Sequence, residues 1–258
     1  MSDTPPESAG TVICLHSGGF TSRQWKRLAA VLASTHRVLT PDLLGYGPDP
    51  SERWPAGQPF ERAQDLAALS RLLASVAGPL HLVGHSYGGF LAAQLARTRT
   101  IASLSMYEPV TFSVLDPVRD AAELAALAVK ATWDPDPATG SDEAWFTSFV
   151  DWWNGPGAWA NLPAEAAASF RRVGWKLFEE VRSLASDTTG AAGFSTITAP
   201  TLVLGGTRSP PTERRTIERL VEAIPHAELR IIDGAGHMGP ITHHAIVNAA
   251  IAAHVRAH

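Results

Sequence analysis

Short apolar runs alternate with amphipathic stretches through the first part of the chain. Residues 11–15, 37–40, 79–83 and 101–107 are apolar and of strand length, the pattern of strands covered on both faces. Between them, 22–33, 60–76 and 87–97 carry apolar residues at helical spacing. The same rhythm returns near the end, with strands predicted at 200–204 and 227–232 and helices at 212–224 and 243–254. Alternation of this kind predicts right-handed βαβ units and an α/β fold with a mostly parallel sheet flanked by helices. The stretch from 112 to 197 breaks the rhythm. Its helix-like segments are separated by Pro135, Pro137, Gly155-Pro156-Gly157 and Pro163, and no strand pattern occurs in it. The simplest reading is one α/β core, residues 1–111 and 198–258, interrupted by a helical cap at 112–197.

Composition narrows the function classes. A chain of 258 residues buries roughly 70% of its unfolded surface and needs no staple. The single cysteine, Cys14, excludes an intrachain disulfide framework and a cysteine-based zinc site. Lys+Arg 21 against Asp+Glu 25, a net charge of −4 without a long charged block, gives no electrostatic footprint for nucleic acid or an anionic membrane. The start, Met1 to Glu7, is acidic and proline-rich rather than basic and apolar, and no run approaches ~18 apolar residues. A cytoplasmic protein is expected, and the unpaired thiol agrees. Six of the eight tryptophans, Trp133, Trp145, Trp152, Trp153, Trp159 and Trp175, fall in the cap.

Gly84-His85-Ser86-Tyr87-Gly88 fits G-x-S-x-G at the junction of a predicted strand and helix. A serine nucleophile there needs a sharp, strained turn that lifts its Oγ above the sheet, and small residues two positions either side allow it. The competing reading is a tight turn whose serine only caps the helix. Attack on a carbonyl creates an oxyanion that requires two preorganised N–H donors. Tyr87 N–H follows the nucleophile directly, and the loop His16-Ser17-Gly18-Gly19 offers Gly18 as the second. A plain Gly-Gly turn is the alternative there.

With these motifs the chain resembles the α/β-hydrolase fold family. The resemblance rests on His16-Ser17-Gly18-Gly19 with Trp25, on Asp42-Leu43-Leu44-Gly45-Tyr46-Gly47, on Gly84 to Gly89, and on Gly234-Ala235-Gly236-His237-Met238. It covers nearly everything outside the cap. It implies a serine–acid–histidine triad and a cap inserted after the strand that follows the nucleophile helix, where the Trp-rich segment lies. His237 matches the base, and an imidazole with a pKa near ~6.5 can take and return the serine proton. His16 and His85 read as orienting residues. His243, His244, His254 and His258 lack acidic or cysteine partners, so no metal is expected. Only about ten residues precede the first strand, too few for the family's usual antiparallel pair, so the sheet is expected to be short at that edge.

The acid departs from the family pattern. The usual Gly-x-x-Asp after the fifth strand reads Gly206-Thr207-Arg208-Ser209 here, and Ser209 cannot stabilise an imidazolium. Glu108, at the end of the strand after the nucleophile helix, lies at the edge where such sheets bind ligands. Some family members, a subset of haloalkane dehalogenases among them, carry their acid at this strand end. Glu108 is therefore the expected triad acid, with substrate binding or bracing of the cap hinge as its alternative roles. Asp233 is expected to face away from the histidine, and Asp42 resembles the family's structural turn aspartate.

A serine at position 86 differs from the aspartate nucleophile of dehalogenases and epoxide hydrolases of this fold. It implies an acyl-enzyme and hydrolysis of a carboxylic ester, lactone or thioester of a small, largely apolar molecule, without a cofactor. Alternatives are a C–C bond hydrolase acting on a dienone acid, which would need carboxylate anchors such as Arg171, Arg172 or Asn161, a cofactor-free perhydrolase, and a non-catalytic ligand-binding member of the fold. Phe20, Trp152, Trp153, Trp159 and Met238 are the expected substrate contacts, although Trp152 and Trp153 cannot share one helix face. The expected partner is the small-molecule substrate alone, with the chain a monomer or homodimer.

Overall fold

A computed structural model of the chain describes residues 10–129 and 140–258. The N-terminal residues Met1 to Glu7 and, in the insertion, Trp133, Pro135 and Pro137 lie outside the described residues. Among the described residues six strands form one sheet: β1 (Thr11–Leu15), β2 (Arg37–Leu39), β3 (Leu80–His85), β4 (Ser103–Tyr107), β5 (Thr201–Gly206) and β6 (Ala227–Ile232). Their spatial order is β2-β1-β3-β4-β5-β6, and every pairing is parallel. Among the described residues the sheet ends at β2 with no antiparallel pair beyond it.

The strands β1, β3, β4 and β5 are buried along their whole length, which is why their sequences are nearly continuous apolar runs. Successive side chains point to opposite faces. Ile13, Leu82 and Met106 pack against α2 (Arg62–Ala74), α3 (Tyr87–Ala96) and α8 (Pro211–Ala223). Val12, Cys14 and Val83 pack on the other face with Leu28 of α1 (Lys26–Leu32) and Ile251 of α10 (His244–Ala257). Strands β3 and β5 run on past the apolar signal, through Gly84 to His85 and through Gly205-Gly206. The stretch 22–33 divides into a 3-10 turn, Ser22–Trp25, and α1. Helix α2 starts later than its apolar pattern because Glu61 and Gln64 form a reciprocal capping box.

Between β4 and β5 lie α4 (Ala121–Val129), α5 (Glu143–Asn154), α6 (Ala164–Ala185) and α7 (Gly190–Phe194), with no strand among the described residues. Trp145, Phe146, Trp159, Leu177 and Phe178 form a core of their own between α5 and α6. The 22 residues of α6 span ~33 Å at 1.5 Å per residue, long enough to reach across the C-terminal edge of the sheet. A short α9 (Gly239–Thr242) leads into α10.

Candidate active site

The β3–α3 turn holds Ser86 at φ 54° and ψ −120°, a conformation that L-residues rarely adopt. Its N–H donates to the Tyr107 carbonyl at 3.0 Å. The turn closes only because its flanks are glycine: a Cβ on Gly84 would lie 2.4 Å from the Gly88 carbonyl oxygen, and one on Gly88 would lie 2.3 Å from that of Leu15. Ser86 precedes α3 without making a side-chain cap. Its Oγ instead donates to His237 Nε2 at 3.0 Å.

His237 sits in the loop after β6, fixed from three sides. Tyr107 OH donates to the Gly236 carbonyl at 2.7 Å, and His85 Nε2–H donates to the carbonyl of His237 itself at 2.8 Å. Burial, with His237 nearby, holds the His85 pKa well below its ordinary value, so His85 stays a neutral donor. The indole of Trp153, from α5, stacks on the imidazole with 3.7 Å between ring centroids and 20° between planes.

His237 Nδ1–H donates to Glu108 Oε2 at 2.8 Å. Glu108 follows β4 at φ 43°, its N–H donating to the Leu204 carbonyl at 2.9 Å. That pairing turns the side chain inward at the strand end. Its other oxygen, Oε1, accepts from Gly206 N–H at 2.9 Å and from Ser209 Oγ. The residue at the family's usual acid position thus hydrogen-bonds the carboxylate that reaches the histidine. The remaining acidic candidates point elsewhere. Exposed Asp233 accepts from Thr207 Oγ1 at 3.2 Å, and Asp42 accepts from Ser22 N–H at 2.6 Å.

Gly18 and Tyr87 flank Ser86 in a cavity of about 580 Å³. As the first residue of α3, Tyr87 has an N–H with no carbonyl one helical turn behind it. The Gly18 loop is braced by His16, which donates from Nδ1 to the Ser17 carbonyl at 2.9 Å and accepts Leu43 N–H at Nε2 at 3.0 Å. Burial pushes His16 down to about 4, which preserves the neutral tautomer this bracing uses.

Phe20, Trp153 and Met238 line the cavity, whereas Trp152 and Trp159 do not. Trp159 stacks on Phe146 at 4.8 Å and donates from Nε1 to Glu143 at 3.0 Å, inside the α5–α6 core. Trp152 turns about 100° away from Trp153 along α5 and packs edge-on against it, centroids 4.2 Å apart. Of the three tryptophans expected at the substrate, the structure thus brings Trp153 to the cavity and leaves Trp152 and Trp159 outside its lining. Phe149 and Val150 of α5, Phe170 of α6 and Leu124 and Leu127 of α4 supply the apolar wall instead. The i, i+3, i+4, i+7 stripe Phe146, Phe149, Val150, Trp153 is the signal that marks the α5 contribution. Arg171, Arg172 and Asn161 also lie outside the cavity lining. Arg171 pairs with Glu143 at 2.5 Å, Arg172 donates to Ser169 Oγ, and Asn161 donates to the Gly157 carbonyl. No group of three or more potential metal ligands occurs among the described residues, and none of their helices is long and apolar enough to cross a membrane.

A sequence model of the alpha/beta hydrolase family matches residues 12–250. Lipase LipV of Mycobacterium tuberculosis is 34% identical over 136 residues, which are 52% of this chain and 49% of the lipase, so the chain matches about half that relative's length. A putative carbamate hydrolase, RutD of Variovorax paradoxus, is 27% identical over 255 residues, covering 93% of this chain and 89% of that one. Among solved structures, the enol-lactonase of Burkholderia xenovorans superposes with a TM-score of 0.69 at 18% identity, over 96% of this chain and 91% of the lactonase.

Proposed function

From membership of the alpha/beta hydrolase family, to which this chain belongs, we propose that the protein is a serine hydrolase of carboxylic esters or lactones with an apolar acyl group. The observation that carries the reading is the unbroken line Glu108–His237–Ser86, with links of 2.8 and 3.0 Å, opening into a cavity walled mainly by aromatic and aliphatic side chains.

In this reading Ser86 Oγ adds to the substrate carbonyl as His237 Nε2 takes its proton. Glu108 stabilises the imidazolium, and the N–H groups of Gly18 and Tyr87 receive the oxyanion. Collapse of the tetrahedral adduct sends the proton from His237 to the leaving alcohol and leaves an acyl-Ser86. Water, deprotonated by the same histidine, then releases the acid. A cavity of about 580 Å³ falls within the range of drug-sized ligand pockets. Curated relatives carrying lipase and carbamate hydrolase names support attack on an oxygen-substituted carbonyl. Among the described residues Arg182 is the cationic side chain in the cavity wall; its Nη2 donates to Glu179 at 2.6 Å, while its buried Nε has no partner. The predominance of aromatic and aliphatic side chains in the lining supports an ester with an apolar acyl group over a dienone acid, for which Arg182 Nε would be the carboxylate anchor.

A fluorophosphonate probe combined with p-nitrophenyl esters of increasing chain length, and one dienone acid, tests the proposal. Wild type labels and hydrolyses the esters, while Ser86→Ala does neither. Equal labelling of the two proteins, or turnover of the dienone acid alone, overturns it.

A further inference from the structure

Lys176 of α6 is buried, with 1% of its side chain exposed, and it stands at the root of two hydrogen-bonded chains. Its Nζ donates to Glu180 Oε1 at 2.6 Å, one turn along the same helix, and to Asp65 Oδ2 of α2 at 3.0 Å. The ammonium also lies 3.6 Å from the ring centroid of Phe60. From Glu180 the first chain continues through Oε2, which accepts Tyr46 OH at 2.8 Å, and the Tyr46 oxygen accepts Gly19 N–H at 3.1 Å. The second chain continues from Asp65 Oδ2, which also accepts Tyr87 OH at 3.0 Å, while Oδ1 accepts Leu44 N–H at 3.0 Å.

One ammonium on an inserted helix is thus tied to the loop that contains Gly18 and to the side chain of Tyr87. These two residues supply the oxyanion donors in the serine-hydrolase reading. Burying a cation with two carboxylates carries a large desolvation penalty before their attraction is counted, and an apolar replacement often stabilises a fold as well. Stability alone is a weak reason for such a cluster. Oxyanion stabilisation demands donors fixed within a fraction of an ångström, and a network that spans both donor segments supplies that constraint.

We propose that Lys176 is a positioning residue that sets the two halves of the oxyanion hole through Glu180–Tyr46–Gly19 and Asp65–Tyr87, so that docking of α6 organises the site beneath it. The inference rests on the serine-hydrolase reading. It deepens that reading by assigning a catalytic consequence to residues that do not touch substrate at the reacting carbonyl.

The test compares Lys176→Met, Tyr46→Phe and Tyr87→Phe with wild type, each kcat counted per Ser86 site titrated with the fluorophosphonate. Counting per site removes losses that come only from unfolded protein. A tetrahedral-adduct-forming trifluoromethyl ketone reports on the hole itself. The expected result is a per-site kcat lowered about tenfold in the two tyrosine variants and about a hundredfold in Lys176→Met, with KM changed less than threefold. The ketone Ki rises in parallel. The double variant Lys176→Met/Tyr46→Phe falls no further than Lys176→Met, because both act through one chain. Unchanged per-site kcat and Ki in the tyrosine variants overturn the inference, and they decide it even if Lys176→Met does not fold. If wild type fails to label at Ser86, the serine-hydrolase reading itself falls, an outcome distinct from labelled, active variants with intact kcat.

Discussion

Trp153 lies flat on one face of His237, ring centroids 3.7 Å apart, while Glu108 holds the edge of the same imidazole through Nδ1 at 2.8 Å. The histidine is therefore clamped between an inserted helix and the end of β4. An indole face attracts a cation, by about 0.5–2 kcal/mol, so in the proposed serine-hydrolase mechanism the stacking supports the imidazolium that attack by Ser86 would form. Trp153→Ala is expected to lower kcat about tenfold and to loosen KM, because Trp153 also walls the cavity. Trp153→Phe, which keeps an aromatic face, should recover most of kcat. Steady-state kinetics on one ester measures both, and full activity in Trp153→Ala would remove any role for the stack.

In the proposed mechanism Glu108 is the acid of the triad, relocated to the end of β4. Glu108→Gln keeps the shape but leaves a neutral partner for Nδ1, and turnover is expected to fall on the order of 10³–10⁴-fold. Ser209→Ala removes only one of the hydrogen bonds that reach Glu108 Oε1, so a loss below about tenfold is expected. Because Ser209 Oγ already touches that carboxylate, Ser209→Asp placed in the Glu108→Gln background should restore part of the activity. Comparing the four proteins on one substrate measures it. Equal losses in Glu108→Gln and Ser209→Ala would show that the charge of Glu108 is not what His237 uses.

The local pattern reached the ends of β1 and β6 without error and stopped short on β3 and β5, where glycines interrupt the apolar run inside a strand. Ser86 and His237 were legible because their chemistry is written in contiguous glycine-rich motifs. Glu108 was legible through its place at a strand end together with the absence of a carboxylate at position 209. The Lys176 cluster was not. Its contacts join residues 111 and 134 positions apart, Asp65 to Lys176 and Tyr46 to Glu180, and no local periodicity encodes such pairs. Among the tryptophans composition pointed to the inserted helices but not to a direction, since only the α5–α6 packing separates Trp153 from Trp152 and Trp159.

The nucleophile turn makes a sharp stability prediction. A methyl group at Gly88 would meet the backbone oxygens of Leu15 and His16 at 2.3 and 2.5 Å, and both belong to the fully buried β1 and the loop leaving it. Neither can retreat as a flexible side chain would. Gly88→Ala is expected to cost about 3 kcal/mol or more, at the upper end of overpacking penalties, and to abolish fluorophosphonate labelling even in the fraction that folds. Urea unfolding with parallel labelling checks it. A variant as stable and as reactive as wild type would mean that α3 can shift away from β1.

Glu213 of α8 gives the stability a pH signature. It is fully buried, and neither carboxyl oxygen has a hydrogen-bond partner among the described residues. Burial first, and the charge of Glu108 second, raise its pKa well above the ordinary carboxylate value. A raised folded-state pKa means that the native protein holds a proton the unfolded chain has lost. Stability from this group is therefore complete below about pH 4.3 and drains as pH rises toward the folded pKa, by up to ~1.4 kcal/mol per pH unit. His16 and His81, pushed down to about 4, and His85, held well below its usual value, act in the opposite sense. Their unfolded forms take up protons near pH 6.5, so stability falls as pH drops from there toward 4. The neutral isostere Glu213→Gln should be more stable than wild type at pH 8, by a margin that shrinks toward pH 5. It should keep the same acid-side loss. Urea midpoints of the two proteins at pH 5, 6.5 and 8 measure this, and a margin independent of pH would show that Glu213 does not carry the extra proton.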